Sequence, residues 1–320
     1  MALQVDNLSV YYQTTKGAVH ALEGATFRVD DGEIMGVAGE SGCGKTTLGH
    51  ALVRLAPPMR LVGGRVTLDG EDLPIGDMER MAQHRFSKIS IVPQYAMNAL
   101  NPTRKIGRMT AELLEARGVR YSDAKPELMR RLELVKLPAQ VLNMYPIELS
   151  GGMKQRMVMV ISTLLNPALL VADEITSALD VASQKAVAEM LVEFRNQNCC
   201  ASVMIITHDI SILYQIADSI LVMYAGQLAE KASTDTIISA PRHPYTRLLI
   251  SSLPEIGVKW SERKLAGIPG TPPLLLDPPE GCRFRARCPF AFEKCREVPP
   301  FREVAPGHQV ACWLEAPANA

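Results

Sequence analysis

No stretch of this chain is both long and apolar enough to span a bilayer, which takes about 20 such residues. The greasiest segment, Met157 to Ala172, is broken by Ser162, Thr163, Asn166 and Pro167. Charge of one sign is also missing. With 34 basic and 34 acidic residues there is no electrostatic case for a nucleic-acid partner. No secretory leader precedes the first strand-like segment, so the expectation is an intracellular chain. Neither an internal duplication nor a long coiled-coil insertion is visible. What is present, 320 residues of which 47% are apolar, suits one sizeable α/β domain and a smaller appendage.

Punctuation along the chain gives a coarse order of elements. Residues 2–30 read as alternating strands around Gly17 and Gly24, and Gly63 to Gly70 as a short strand bounded by turns. From about residue 102 to 165 strand signals vanish and helical periodicity takes over, as in Ala111 to Ala116 and Glu127 to Val135. Strand and helix alternation returns from Ala168 to about Ala225. The expected division is a main α/β domain over residues 1–240, with a helical subdomain at about 102–165, and an extension over 241–320.

The first chemistry lies at Gly39-Glu-Ser-Gly-Cys-Gly-Lys-Thr-Thr47, which fits G-x-x-x-x-G-K-[ST]. It follows the apolar run Ile34 to Ala38 and opens a helix-like stretch from Thr46 to Leu55, the strand, loop and helix context that a phosphate loop requires. Gly39, Gly42 and Gly44 let consecutive backbone N–H groups, those of Ser41, Cys43 and Thr47 included, turn toward phosphate oxygens. Lys45 supplies a point charge to the β and γ phosphates, and the Thr46 hydroxyl is placed to ligate Mg²⁺. The bland alternative, a glycine turn with a surface lysine, does not explain the flanking strand and helix.

A second apolar run, Leu169 to Ala172, reads as a buried parallel strand delivering Asp173 and Glu174 at its C-terminal end, where ligands gather in open α/β sheets. Asp173 is then a carboxylate for Mg²⁺, bound directly or through water, and Glu174 a general base for the water attacking a γ-phosphate. Leu149-Ser-Gly-Gly-Met-Lys-Gln-Arg156 presents a hydroxyl and glycine amides at a helix start, a second anion site. Lys154 and Arg156 read as solvated helix charges. Further runs are Ile89-Ser-Ile-Val-Pro-Gln94, Val203-Met-Ile-Ile-Thr-His-Asp209 and Asn7-Leu-Ser-Val-Tyr-Tyr12.

Taken in order, these segments resemble the ATP-binding cassette ATPases, an α/β phosphate-loop fold with a RecA-like core, an antiparallel β subdomain and a helical subdomain. The resemblance implies several roles. His208 would be the switch histidine that contacts the γ-phosphate, and Gln94 the Q-loop residue near Mg²⁺ and the attacking water. Tyr12, favoured over Tyr11 by alternation, would stack on adenine, and Ser177 to Asp180 would be the D-loop. Ser150, Gly151, Gly152 and Gln155 would close over ATP held by a second subunit. One departure is Ile175, which stands where most members have proline and would loosen the turn after the acidic pair.

Beyond residue 240 the character changes. His243-Pro-Tyr-Thr246 begins a helix to about Leu253 and resembles the C-terminal extension of oligopeptide and dipeptide importer ATPases. Pro269 to Pro279 holds five prolines in eleven residues, too many for a helix. Cys282, Cys288, Cys295 and Cys312 follow at C-x5-C-x6-C-x16-C, in a segment expected to be small and irregular. In an intracellular chain four such thiols suggest a tetrathiolate staple, holding either zinc or an iron–sulfur cluster. The spacing lacks C-x2-C knuckles and Cys288-Pro289 resembles the end of cluster-binding runs, which favours a cluster over Zn²⁺ or unmetallated thiols, and the resemblance to importer ATPases implies [4Fe–4S]. Arg283, Arg285, Arg287, Lys294 and Arg296 would then offset the negative charge.

The resemblance implies an ATPase at the cytoplasmic face of the membrane, paired with a second, non-identical cassette, two permeases and an extracellular binding protein. Peptide is the implied cargo, with oligosaccharides or nickel as alternatives; the rival class is a non-transport cassette ATPase of DNA repair or translation.

Overall fold

The computed structural model describes residues 3–176, 180–253 and 267–315. Its first layer is an antiparallel sheet in the order β2-β1-β4-β5. The strands are β1 (Leu3–Thr14), β2 (Gly17–Val29), β4 (Met59–Leu68) and β5 (Glu71–Asp72). The third strand of the chain, β3 (Ile34–Ala38), belongs instead to the main sheet. β4 is longer than the short strand expected at Gly63 to Gly70. It runs past a register shift in β1, where a Cβ on Gly64 would lie 2.5 Å from the Asn7 carbonyl oxygen, so glycine there marks a bulge inside a strand and not a strand end.

The main sheet adds β6 (Ile89–Val92), β7 (Leu169–Asp173), β8 (Ser202–Ile206), β9 (Ser219–Tyr224), β10 (Gln227–Ser233), β11 (Arg302–Ala305) and β12 (His308–Val310). Its order is β11-β12-β10-β9-β3-β8-β7-β6, parallel from β9 to β6 and antiparallel from β9 to β11. The five residues of β3 are all buried, and alternate side chains serve two cores: Ile34 and Ala38 face one, Met35 and Val37 the other. Covering both faces is what makes such a strand an unbroken apolar run.

Helices α1 (Lys45–Val53) and α2 (Met78–His84) precede the helical region, which holds α3 (Ile106–Glu115), α4 (Tyr121–Leu134) and α5 (Gly151–Thr163). α3 buries Ile106, Met109, Thr110 and Leu114, the single stripe that a period of 3.6 gives. Arg131 of α4 is fully buried yet satisfied, with Nε donating to Glu127 at 2.6 Å and Nη1 to the Thr163 carbonyl at 2.6 Å. Arg156, expected to be solvated, donates to the Val135 carbonyl at 3.0 Å and so ties α5 to the end of α4. The chain continues through α6 (Val181–Asn196), α7 (Ile210–Ile216), α8 (Thr234–Ser239) and α9 (Pro244–Ser251). Among the described residues no helix is long and apolar enough to cross a membrane.

The extension is less irregular than its prolines suggest. Its hairpin β11–β12 continues the main sheet, Val310 pairing with Glu230 and Gln309 with Lys231. Glu230 is fully buried, and its carboxylate accepts from the backbone N–H groups of Arg242 (2.7 Å) and His243 (3.0 Å) and lies 2.6 Å from His308 Nε2. His243 caps α9 by accepting the Tyr245 N–H at 3.0 Å; burial pushes its imidazole down to about 4, so the ring is neutral as an acceptor must be.

Candidate active site

The loop between β3 and α1 opens into a cleft of about 380 Å³ lined by Tyr12, Val19, Ala21, Ser41, Gly42, Gly44, Lys45, Thr46, Thr47, Gln94, Glu174 and Leu275. Lys45 is buried, its Nζ donating to the carbonyls of Gly39 (2.7 Å) and Glu40 (3.0 Å). Cys43 does not face the cleft: its side chain is buried and desolvation raises the thiol pKa, so only its backbone serves the loop. Tyr12 brings its hydroxyl to 3.2 Å from the Thr47 hydroxyl, whereas Tyr11 stacks on His20 at 4.0 Å.

At the C-terminal ends of the parallel strands three expected groups meet. Gln94 Nε2 donates to Glu174 Oε2 at 2.7 Å, and His208 Nδ1 lies 3.9 Å from Glu174 Oε1. Glu174 has φ of 46°, a left-handed conformation that swings its side chain off the line of β7. Such a conformation costs roughly 1–3 kcal/mol in a non-glycine residue and persists only where surroundings enforce it. Here its N–H donates to the Ile206 carbonyl at 2.8 Å.

Asp173 is wholly buried, and Thr46 Oγ1 donates to its Oδ1 at 3.2 Å. Its Oδ2 has no hydrogen-bond partner, although His50 Nε2 is 3.4 Å away. An unsatisfied buried carboxylate oxygen beside a threonine hydroxyl is costly unless a cation shares the position. Thr46 and Asp173 therefore fit Mg²⁺.

The signature segment stands apart from this cleft. Ser150 caps α5, accepting the Met153 N–H at 3.3 Å, and none of Ser150, Gly151 and Gly152 lines the cleft. Gln155 departs from its expected role toward a partner's ATP. It is buried, and its side-chain amide donates to the Ile175 carbonyl. That bond secures the turn that isoleucine in place of proline was expected to loosen. Asp180 caps α6, accepting the Ser183 N–H at 3.0 Å; the rest of the D-loop segment, 177–179, lies outside the described residues.

The four late cysteines share one electrostatic neighbourhood: burial, then the other three sulfurs, push Cys312 up to about 11. Burial raises the Cys282 and Cys288 thiols as well, partly offset by the backbone at Phe284 and Phe290. Yet among the described residues no three Cys, His, Asp or Glu side chains form a metal-binding group, so the expected metal centre is not built in this structure. Two of the arginines expected around them are engaged elsewhere: Arg283 pairs with Glu23 and donates to the Ala225 carbonyl, and Arg287 pairs with Glu40.

Sequence reading passed over Val19, Ala21, Leu275 and His50. Leu275 arrives from the proline-rich segment, whose carbonyl at that residue accepts the His20 N–H at 2.7 Å. No local signal marks it, because only a docked extension brings it to the cleft.

A phosphate loop, a buried carboxylate beside its threonine and a glutamate gripped by glutamine near histidine define a phosphate-loop nucleoside triphosphatase of the cassette class. The family model "ABC transporter" matches residues 22–177, and "Oligopeptide/dipeptide transporter, C-terminal region" matches 229–295. The chain is 38% identical to the dipeptide transport ATP-binding protein DppD of Caldanaerobacter subterraneus subsp. tengcongensis, over 98% of this chain and 96% of that one. A probable peptide ABC transporter ATP-binding protein, y4tR, of Sinorhizobium fredii is 37% identical over 98% of this chain and 95% of its own. The fold matches the dimeric ATP-binding cassette MJ0796 bound to ADP and Pi, with a TM-score of 0.63 and 22% identity over 72% of this chain and 98% of that chain. The chain belongs to the ABC transporter ATP-binding proteins of the oligopeptide/dipeptide type, and its reaction is the hydrolysis of ATP.

Proposed function

We propose that this chain energises the import of dipeptides or oligopeptides by hydrolysing ATP between two cassettes. The observation that carries the reading is the separation within one chain: Gln94, Glu174 and His208 gather beside the phosphate loop, while Ser150, Gly151 and Gly152 lie outside that cleft. A helix start with free glycine amides is an anion site with no anion of its own chain to bind.

ATP would lie with its base against Tyr12 and its phosphates in the loop from Gly39 to Thr47, with Lys45 transferring from the Gly39 and Glu40 carbonyls to the β and γ phosphates. Thr46, Asp173 and Gln94 are the groups that would hold Mg²⁺, which when bound neutralises phosphate charge. Glu174, oriented by Gln94, takes the proton of the attacking water, and His208 fixes the γ-phosphate from the exposed side. The signature of a second, non-identical cassette completes the enclosure. Two permeases would receive the motion of the α3–α5 region, and an extracellular receptor would deliver the peptide. The chain would then sit peripherally at the cytoplasmic face of the membrane. Relatives named for dipeptide and peptide transport support this cargo.

Turnover per chain should rise with protein concentration and vanish on dilution below the pairing constant, with ATP binding retained. ATPase rates across a dilution series, alongside sedimentation, check this; full activity in a monomer overturns it.

The finer cofactor reading is a [4Fe–4S] cluster, in preference to zinc, on Cys282, Cys288, Cys295 and Cys312. The four sulfurs lie close enough to act on one another's thiols, as the other three do in raising the pKa of Cys312, which supports it. Protein purified without oxygen should carry iron and acid-labile sulfide that Cys295→Ser loses. Zinc alone, or no metal, refutes the cluster.

A further inference from the structure

The phosphate loop is held from behind by residues that lie outside every cassette motif. Glu40, second in the loop, is gripped through all its polar groups. Its carboxylate receives both prongs of Arg287, Nη1 to Oε2 at 2.6 Å and Nη2 to Oε1 at 2.9 Å. Its backbone N–H donates to the Tyr245 hydroxyl at 2.8 Å. Its carbonyl accepts from Lys45 Nζ at 3.0 Å.

The two outer partners are themselves immobilised. The Arg287 side chain is 4% exposed, donates from Nε to the Pro269 carbonyl at 2.8 Å and from Nη1 to the Tyr224 hydroxyl at 3.1 Å, and lies 5.7 Å from the centre of the Tyr224 ring. Tyr245 is fully buried, packed at 4.6 Å against Tyr224 and 5.4 Å against Phe284. A solvated ion pair would position nothing, because two long side chains and water compete for every geometry. A planar fork with its other donors spent, on a carboxylate it meets side-on, fixes both distance and orientation.

Resting on the nucleotide-site reading above, we propose that Arg287 and Tyr245 are positioning residues of that site, which hold the phosphate loop in its phosphate-accepting conformation through Glu40. The extension is thereby part of the ATP site without touching ATP. The Glu40 backbone and carboxylate are the points at which Tyr245 and Arg287 fix the loop, so loosening them lets the loop amides that face the phosphates drift.

The test uses the full chain, with calorimetric ATP·Mg²⁺ binding and steady-state hydrolysis in parallel. Arg287→Lys and Glu40→Gln should each raise Kd and KM for ATP about tenfold and leave kcat at saturating ATP within about twofold. The double variant should be no worse than either single one, because both remove the same contact. Tyr245→Phe should shift affinity in the same direction by a smaller factor. Arg283→Lys is the control: an equally buried arginine of the extension that pairs with Glu23 and makes no contact with Glu40, it should lower melting temperature without moving ATP affinity. Wild-type affinity in both Arg287→Lys and Glu40→Gln, or additive losses in the double variant, overturns the proposal. An equal affinity loss in Arg283→Lys overturns it too, since docking alone would then account for the effect. If Arg287→Lys fails to fold, Glu40→Gln, on the cassette side, decides. Failure of the wild-type chain to bind ATP would instead sink the nucleotide-site reading itself.

Discussion

Glu174→Gln is expected to bind ATP as well as the parent chain, to accumulate as closed pairs, and to lose turnover by about 10²–10⁴, the range that a positioned general base contributes. The substitution keeps size, and its side-chain carbonyl oxygen still accepts from Gln94 Nε2, now 2.7 Å from Oε2. What disappears is the ability to hold a proton. Glu174→Ala would be a poorer test, because it discards the Gln94 contact along with the base and leaves an alanine at φ of 46°. Single-turnover hydrolysis with equilibrium binding separates the outcomes, and normal turnover in Glu174→Gln removes this residue from catalysis.

The second large effect belongs to the backbone. In Gly44→Ala the new Cβ would stand 2.2 Å from the Ala21 carbonyl oxygen, at φ of 105°. Neither side can yield: Ala21 sits in β2, and Gly44 caps α1. The loop has to move, and with it the amides and Lys45, so ATP affinity should fall by at least about 100-fold, some 2.7 kcal/mol. Gly42→Ala is the paired control. It has positive φ of 78° but open space around the added carbon, so only conformational strain of about 1 kcal/mol applies, worth less than tenfold. Equal losses in the two variants would mean that crowding at β2 is not what Gly44 avoids.

The phosphate loop, the acidic pair and the histidine and glutamine at their strand ends were legible because phosphate chemistry restricts residue type at each step. Glycine must stand where a Cβ would hit backbone, and a carboxylate must emerge where parallel strands end. The helical region was legible in outline for the same kind of reason, a stripe such as Ile106, Met109, Thr110 and Leu114. Other features depend on contacts that no window along the chain contains. Arg287 and Glu40 are 247 positions apart, and a run of arginines beside cysteines reads locally as charge compensation. Gln155 sits in a surface motif yet points inward to Ile175, since the phase of α5 is set by what packs beneath it. The hairpin β11–β12 escaped because prolines on either side dominate the local signal, while its stability comes from β10.

That hairpin has a consequence for how the chain can be cut. A fragment ending near residue 240, where the helix and strand pattern of the cassette runs out, would leave β10 with one side of its ladder bare. The same cut would strand the Glu230 carboxylate in a greasy interior without the amides of Arg242 and His243 or the imidazole of His308. A bare strand rim is a template for another copy. Such a fragment should clump or swap strands instead of behaving as a trimmed ATPase.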